Sequence, residues 1–157
     1  MNKIFSLTLL TFSFFFIGCA SIPQADKKLD AEAKLFKAHP EKSILYVYRN
    51  EAMGGAVKMD VVVDNELLGE TRTGHYLWIN MQPGVHVISS RAENSHDIEL
   101  KTEPGKVYYV WQEAKMGIMY ARTKLNVVDE KTGQTGVREC SLVQHRQPRG
   151  NVNARLH

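Results

Sequence analysis

Short segments in which apolar and polar residues alternate make up most of the chain between Ser43 and Val128. Apolar side chains at every second position are typical of half-buried strands, and glycine, proline, asparagine and aspartate favour turns. No long helical pattern separates these segments, so a parallel sheet with helical crossovers is not expected. The pattern predicts a mainly β fold, an antiparallel β-sandwich of seven or eight short strands. The predicted strands lie near 43–49, 58–63, 66–70, 76–81, 85–90, 96–100, 107–112 and 123–128.

The first predicted strand is apolar on both faces, which is typical of a central strand. Its inward residues are either Ile44, Tyr46 and Tyr48 or Leu45 and Val47. In the other strands the alternation predicts inward-facing residues two positions apart. These are Val61 and Val63, Leu77 and Ile79, Val85 and Val87, Ile98 and Leu100, and Val107, Tyr109 and Trp111.

Residues 1–18 have the pattern of a secretory signal peptide. Lys3 gives a basic start, an uncharged run of 14 residues extends from Ile4 to Ile17, and Gly18 is a small residue at the expected cleavage position. A helix needs roughly 20 apolar residues to span a bilayer, so this run is too short for a transmembrane anchor. We therefore predict a signal peptide that is removed after Gly18.

The sequence Phe-Ile-Gly-Cys-Ala-Ser at 16–21 resembles the lipobox of bacterial lipoproteins, which prefers leucine where this chain has Phe16. The resemblance implies a diacylglyceryl group on the Cys19 thiol, cleavage after Gly18 and acylation of the new amino group. Several acyl chains on one residue would hold the protein stably on a membrane. The alternative is an ordinary signal peptide with an incidental cysteine. Ala20 after the cysteine, with no aspartate, resembles outer-membrane sorting, which implies an anchor in the outer membrane facing the periplasm.

The rest of the chain divides into three predicted parts. Residues 19–41 form a lipidated tether with a short, weakly amphipathic helix, whose Phe36 either docks on the domain or only spaces it from the membrane. Residues 42–145 form the sandwich domain. Residues 146–157 contain three arginines and no acidic residue, and we expect a flexible basic tail.

The chain has two cysteines, and lipidation would use Cys19. Cys140 then has no partner for an internal disulfide, and we expect it to be a small buried residue. An intermolecular disulfide is the alternative. A short helix is predicted to begin near Asp129 and to run toward Cys140.

Five runs of the chain resemble a bacterial lipoprotein family known as domain of unknown function 2846. They are 33–36, 44–49, 54–61, 112–117 and 125–130, so the resemblance extends over nearly all of the mature chain. A weaker likeness relates 63–71 and 83–87 to PEGA-type β-domains, although Asn65 and Arg72 replace the usual glycine and proline. These resemblances imply an immunoglobulin-like or PEGA-like sandwich in the cell envelope. They imply no catalytic residue, cofactor or ligand.

The sequence has no motif with the spacing of a catalytic or metal-binding site. Its six histidines show no paired ligand spacing, and no nucleophile elbow or local Cys-His pattern is present. Gly133 and Gly136 lack the lysine of a phosphate-binding loop. The net charge of +3 falls by one when Lys3 leaves with the signal, and so small a charge does not indicate nucleic-acid binding. We predict no catalytic residue, no metal, no cofactor and no nucleic-acid partner.

Two sets of side chains are candidates for binding. The first is an aromatic ligand surface, since aromatic rings suit half-wet binding faces; the alternative is that these rings fill the core. Its members are Tyr46, Tyr48, Trp78 and Trp111. The second is a charged cluster at one end of the sandwich, for which the alternative is a solvated rim of ion pairs. Its members are Arg49, Lys58, Glu113, Lys115 and Arg122.

From these observations we expect a lipid-anchored cell-envelope protein that acts as a non-catalytic binding or structural module. Its expected partners are the membrane, through the lipid on Cys19, and an envelope protein or peptidoglycan. The first alternative is a periplasmic domain that binds a glycan or another small ligand. The second is a small envelope enzyme, which would require distant residues to converge.

Overall fold

The computed structural model describes residues 22–144. The predicted signal peptide, the cleavage and lipidation sites Gly18 and Cys19, and the predicted tail at 146–157 lie outside these residues.

Within residues 22–144 the chain forms two helices and nine strands. The helices are α1, Lys27–Ala33, and α2, Glu130–Arg138. The first five strands are β1, Ser43–Arg49; β2, Met59–Val63; β3, Glu66–Thr71; β4, His75–Met81; and β5, Gly84–Arg91. The others are β6, Ser95–Thr102; β7, Val107–Lys115; β8, Arg122–Val128; and β9, Ser141–Leu142.

The strands form two sheets, with the orders β8-β7-β1-β4-β9 and β3-β2-β5-β6. This arrangement confirms the predicted mainly β sandwich. Most neighbouring strands are antiparallel, but β1 pairs in parallel with β7 and β4 pairs in parallel with β9, so the five-stranded sheet is mixed. The predicted short helix after Asp129 is confirmed as α2, and the Asp129 carboxylate caps it by accepting a hydrogen bond from the Thr132 N–H at 3.0 Å.

β1 is buried along its whole length, which confirms that it is a central strand. Leu45 and Val47 face the core between the two sheets. Tyr46 and Tyr48 face the opposite side, where the helices cover the five-stranded sheet. Both faces of β1 are therefore inward faces, one in each of two hydrophobic cores.

Most of the predicted inward residues lie in these two cores. Val61, Val63, Leu77, Ile79, Leu100 and the partly buried Ile98 belong to the core between the sheets. Tyr109 is buried in the second core, beneath the helices, and Val107 and Trp111 pack against it.

The prediction that Val85 and Val87 face inward is wrong, because their side chains are 58% and 45% exposed. The neighbouring Ile88 takes the inward position, where it pairs with Val63 on β2 and with Ile98 on β6. Since alternate residues of a strand point to opposite faces, this register turns both valines to solvent.

Two glycines allow α2 to approach the five-stranded sheet closely. A Cβ atom added to Gly133 would lie 2.2 Å from the ring of Tyr109, and one added to Gly136 would lie 2.1 Å from the ring of Tyr48. No larger residue fits at either position without displacing an aromatic ring. The Gly-x-x-Gly pattern therefore serves helix packing.

The described part of the predicted tether packs on the domain. Ile22 is buried in the core between the sheets, and Phe36 is 9% exposed in the second core. The Phe36 ring lies edge-on to Tyr46 with a centroid distance of 5.4 Å. Phe36 thus docks on the domain, the first of the two roles considered for it. Neither helix in residues 22–144 has the length and apolar character needed to cross a bilayer.

Candidate functional site

The loop that joins β7 to β8, residues 116–121, exposes a group of large apolar side chains. Met116, Ile118 and Met119 are 83%, 94% and 86% exposed, and Tyr120 is 50% exposed. Single exposed apolar residues are common, but a group of them usually marks an interaction site. We call residues 116–121 the apolar loop.

A second loop, between β1 and β2, completes this surface. Its Met53 is 52% exposed and lines, together with Gly54 and the apolar loop, a shallow groove of about 220 Å³. Sites that enclose small molecules usually measure about 300–1,000 Å³. The groove is therefore better suited to contact with another surface than to enclosure of a small ligand.

Glu93, in the turn between β5 and β6, fixes the backbone of the apolar loop. Its carboxylate accepts hydrogen bonds from the N–H groups of Ile118 at 3.0 Å, Met119 at 2.8 Å and Tyr120 at 2.9 Å. These hydrogen bonds, with that from Tyr120 first, lower the pKa of Glu93 below its ordinary value. One side chain from the four-stranded sheet thus holds the loop of the five-stranded sheet.

Gly117 allows a close backbone approach within the apolar loop, and Asn94 fixes the first residues of β8 after it. A Cβ atom on Gly117 would lie 1.9 Å from the Tyr120 carbonyl oxygen, so only glycine fits the observed backbone. Asn94 pairs with the backbone of Thr123, accepting from its N–H at 2.7 Å and donating to its carbonyl at 3.0 Å. The apolar side chains are therefore presented on an ordered backbone, which lowers the entropy cost of binding.

A buried arginine organises the loop that carries Met53. Arg49 is fully buried and donates to the carbonyl oxygens of Met53 at 3.0 Å, Gly54 at 2.7 Å and Val57 at 2.7 Å. Its Nε also donates to the Glu51 carboxylate at 3.2 Å. Burial lowers the pKa of Arg49, and the charge of Glu51 opposes that shift.

Glu51 connects this loop to β7. Its carboxylate accepts hydrogen bonds from the Trp111 indole N–H at 2.9 Å and from the Ala114 backbone N–H at 2.8 Å. Because Ala114 lies one residue before the end of β7, Glu51 ties the two loops of the site together.

The five residues of the predicted charged cluster are divided among separate interactions. Arg49 pairs with Glu51, Lys58 pairs with Glu70 at 3.0 Å, and Lys115 pairs with Glu113. Arg122 is exposed and lies directly opposite Lys115 across the β7–β8 pair, beside the apolar loop. Three of the five, Glu113, Lys115 and Arg122, therefore flank the apolar loop, while Arg49 supports the loop that carries Met53.

The four residues of the predicted aromatic surface lie on the helix-covered face of the five-stranded sheet. Tyr46 and Tyr48 are buried, and Trp78 and Trp111 are half-buried. The Tyr46 hydroxyl donates to the Ala33 carbonyl at 2.6 Å, and burial raises the pKa of Tyr48 to about 12. Both tyrosines are core residues in this structure, so the four rings do not form one solvent-exposed surface.

Residues 22–144 contain no group of three or more histidine, cysteine, aspartate or glutamate side chains placed to hold a metal ion. Cys140 is 3% exposed, which confirms its predicted burial, and burial raises the pKa of its thiol to about 12. A thiol that stays protonated at neutral pH is a poor nucleophile.

Sequence reasoning missed both the apolar loop and Glu93. The run from Met116 to Tyr120 carried a signal, because it breaks the alternation of β7 with large apolar residues between Lys115 and Arg122. No sequence pattern identified Glu93, because its contacts with residues 118–120 depend on how the two sheets face each other.

The chain is similar to a protein family and to a bacterial relative. The model of the family described as "Protein of unknown function (DUF2846)" matches residues 39–124. This range includes both loops of the site and Glu93. An uncharacterized protein from Haemophilus influenzae (strain ATCC 51907 / DSM 11121 / KW20 / Rd) is 33% identical over 128 residues, which cover 80% of this chain and 76% of that protein.

Proposed function

The chain belongs to the DUF2846 family of proteins of unknown function, and because that membership carries no activity, we propose a function from the chain's own residues. The protein is a cell-envelope lipoprotein, anchored through Cys19 in the outer membrane and facing the periplasm. Its sandwich domain is a non-catalytic module that binds a partner through the apolar loop.

One observation carries the binding role: four large apolar side chains are held in solvent on a fixed backbone. Ile118 is 94% exposed. Burial of a large apolar side chain stabilises a fold or a complex by about 1.5–3 kcal/mol, and the free protein does not gain this energy at Ile118. The three hydrogen bonds to Glu93 hold the loop backbone in this conformation, and Gly117 allows its close approach to the Tyr120 carbonyl oxygen. Such an arrangement is typical of a docking surface.

The anchor is supported by the lipobox-like sequence that ends at Cys19, and it is tested by labelling with radioactive palmitate. The full-length chain should incorporate label and sediment with the outer-membrane fraction, and Cys19→Ala should do neither. Cys140→Ala is the matched control, because it removes the other cysteine of the chain and should keep the label. Absence of label from the unmodified chain would refute the anchor.

The binding role is tested by the size of the complex that the protein forms in detergent-solubilised envelopes. The unmodified chain should run in native gels as part of a larger complex, and Ile118→Asp should run as the free chain. Val127→Asp is the control, since Val127 is 54% exposed on β8 outside the apolar loop. A free chain in the unmodified sample, or equal effects of both substitutions, contradicts a docking role for the loop.

The alternative of a glycan-binding or small-ligand domain has weaker support. Its expected surface depended on exposed rings, and two of the four candidate rings, those of Tyr46 and Tyr48, are buried. The groove beside the apolar loop is shallow, and most residues that line it are apolar. Sugar recognition usually requires polar groups placed to hydrogen-bond hydroxyls, so this groove favours a macromolecular partner.

A further inference from the structure

We propose that the apolar loop docks into an apolar cleft edged by carboxylate groups, on a protein that lies on the side of this domain away from the anchoring membrane. The inference rests on the proposed anchor at Cys19 and on the proposed docking role of the loop, and it specifies the kind of partner. It is supported by the position of the loop relative to the start of the domain and by the charges beside the loop.

The first support is the direction of the chain where the described residues begin. Gln24 forms an antiparallel bridge with Val143, which follows β9, and β9 runs parallel to β4. The chain before Gln24 therefore extends in the direction of β4, toward its end at Met81. Ile22 is buried in the core between the sheets, together with Met81.

The apolar loop lies at the opposite end of the same sheet. β1 begins at Ser43, which pairs with Met81, and β7 runs parallel to β1, away from that end. Tyr108 pairs with Leu45 near the start of β1. Lys115, at the end of β7, is seven residues farther along, about 23 Å at roughly 3.3 Å per residue. Since β1 and β4 separate β7 from β9, the loop and Ile22 lie at diagonally opposite corners of the sheet.

Only a short piece of chain separates the predicted lipid from the domain. Cys19 precedes Ile22 by three residues, which can extend about 11 Å at most. A membrane that holds the lipid therefore lies near the Ile22 end of the domain, and the apolar loop projects from the other end. This geometry favours a partner on the side of the domain away from the anchoring membrane, and it disfavours insertion of the loop into that membrane.

The charges beside the loop indicate which charged groups the partner has at its binding surface. Lys115 and Arg122 face each other across the base of the loop, and the Lys115 side chain is 49% exposed. Of the nearby acids, Glu113 pairs with Lys115, and Glu93 accepts three backbone hydrogen bonds and also lies in the field of the positive charge of Arg122, which itself is exposed. An apolar tip beside an exposed arginine complements an apolar cleft with carboxylates at its rim, and methionine, tyrosine and arginine are enriched in protein interfaces.

The test is photocrosslinking of the full-length lipoprotein in intact cells. A benzophenone amino acid replaces Met119 in the loop or, as a control, Leu35, which is 58% exposed outside the loop. We expect position 119 alone to form a protein adduct, and the crosslinked partner peptide to contain acidic residues next to apolar ones. Arg122→Glu should lower the adduct yield about tenfold or more, because it places like charges together. Lys101→Glu on β6 makes the same change of charge elsewhere and should leave the yield unchanged.

Three results would overturn this inference: an adduct with lipid, a protein adduct whose yield Arg122→Glu does not change, or no adduct from position 119. A lipid adduct would assign the loop to a bilayer and would leave the anchor at Cys19 intact. The anchor and the docking role are tested by separate measurements. The anchor fails if the unmodified chain is found in the soluble periplasmic fraction. In that case the effect of Arg122→Glu on the adduct yield still tests the proposed partner of the loop.

Discussion

The Glu93 carboxylate accepts a hydrogen bond from the backbone N–H of Tyr120 at 2.9 Å, across the end of the sandwich. Glu93 belongs to the turn of one sheet and Tyr120 to the loop of the other, 27 residues later. The same carboxylate also accepts from Ile118 and Met119, so three consecutive N–H groups converge on one side chain. The shape of the exposed loop is thus set from outside the loop.

The first prediction concerns pH. Hydrogen bonds from the loop lower the pKa of Glu93 below its ordinary value of 4.5. A lowered folded-state pKa means that the stabilisation is complete above pH 4.5 and is lost as the pH falls through the lower, folded-state value. We expect the amide NMR signals of Ile118, Met119 and Tyr120 to shift together with one midpoint below 4.5. In Glu93→Gln this shared titration should be absent, and its persistence would contradict the assignment to Glu93.

The second prediction concerns the glycines of α2. Gly136→Ala introduces a methyl group that meets the Tyr48 ring, and Gly133→Ala one that meets the Tyr109 ring. Each should lower the free energy of unfolding by about 1–3 kcal/mol, measured by urea denaturation, because the core must move to accommodate the methyl group. The sign is informative, since glycine to alanine at an unhindered helix position stabilises by up to about 1 kcal/mol.

Thr135→Ala is the control for these variants, because Thr135 is exposed on the same helix. It should change stability by no more than about 0.5 kcal/mol. Stabilisation by either glycine substitution would show that α2 does not pack as closely as described.

The third prediction concerns the ion pair between the buried Arg49 and the half-buried Glu51. Arg49→Met removes the donor to three carbonyl groups and leaves Glu51 without its arginine. We expect a loss of about 3–5 kcal/mol in the free energy of unfolding, as for other broken buried pairs. Arg91→Met, at an exposed position of β5, should cost no more than about 0.5 kcal/mol. Equal stabilities of the two variants would contradict a structural role for Arg49.

The fourth prediction concerns the Cys140 thiol, whose pKa burial raises to about 12. At pH 7 the folded protein should react with a maleimide reagent far more slowly than the protein unfolded in guanidinium, because the thiol is both buried and protonated. The Cys19→Ala chain gives the clean measurement, since Cys140 is then its one remaining cysteine. Rapid labelling of the folded chain would show that this part of the structure opens readily.

The strands, and the central position of β1, could be predicted from the sequence where the side chains alternate consistently. β1 could be identified as central because Tyr46 and Leu45 are apolar neighbours on opposite faces. The orientation of β5 could not be identified, because its inward positions include the polar Ser90. Ser90 is buried and accepts a hydrogen bond from Gln112 on β7 at 2.6 Å, so a core position looks like a surface position in the sequence.

The candidate site was harder to predict from the sequence than the fold. The cationic residues Lys115 and Arg122 were recognised at a strand end, but the apolar side chains between them were not singled out. A single sequence does not indicate whether such residues project from a hairpin or turn into the core. That depends on the three hydrogen bonds to Glu93, which form only when the two sheets come together.

The parallel pairing of β1 with β7 has a consequence for how the chain is made. β1 is almost entirely apolar, and its parallel partner is synthesised only about 60 residues later, so the pairing is of high contact order. During that interval the segment has an unsatisfied backbone edge and can pair with the same segment of another nascent chain. We therefore expect the unfinished chain to be most prone to aggregation before β7 is available to pair with β1.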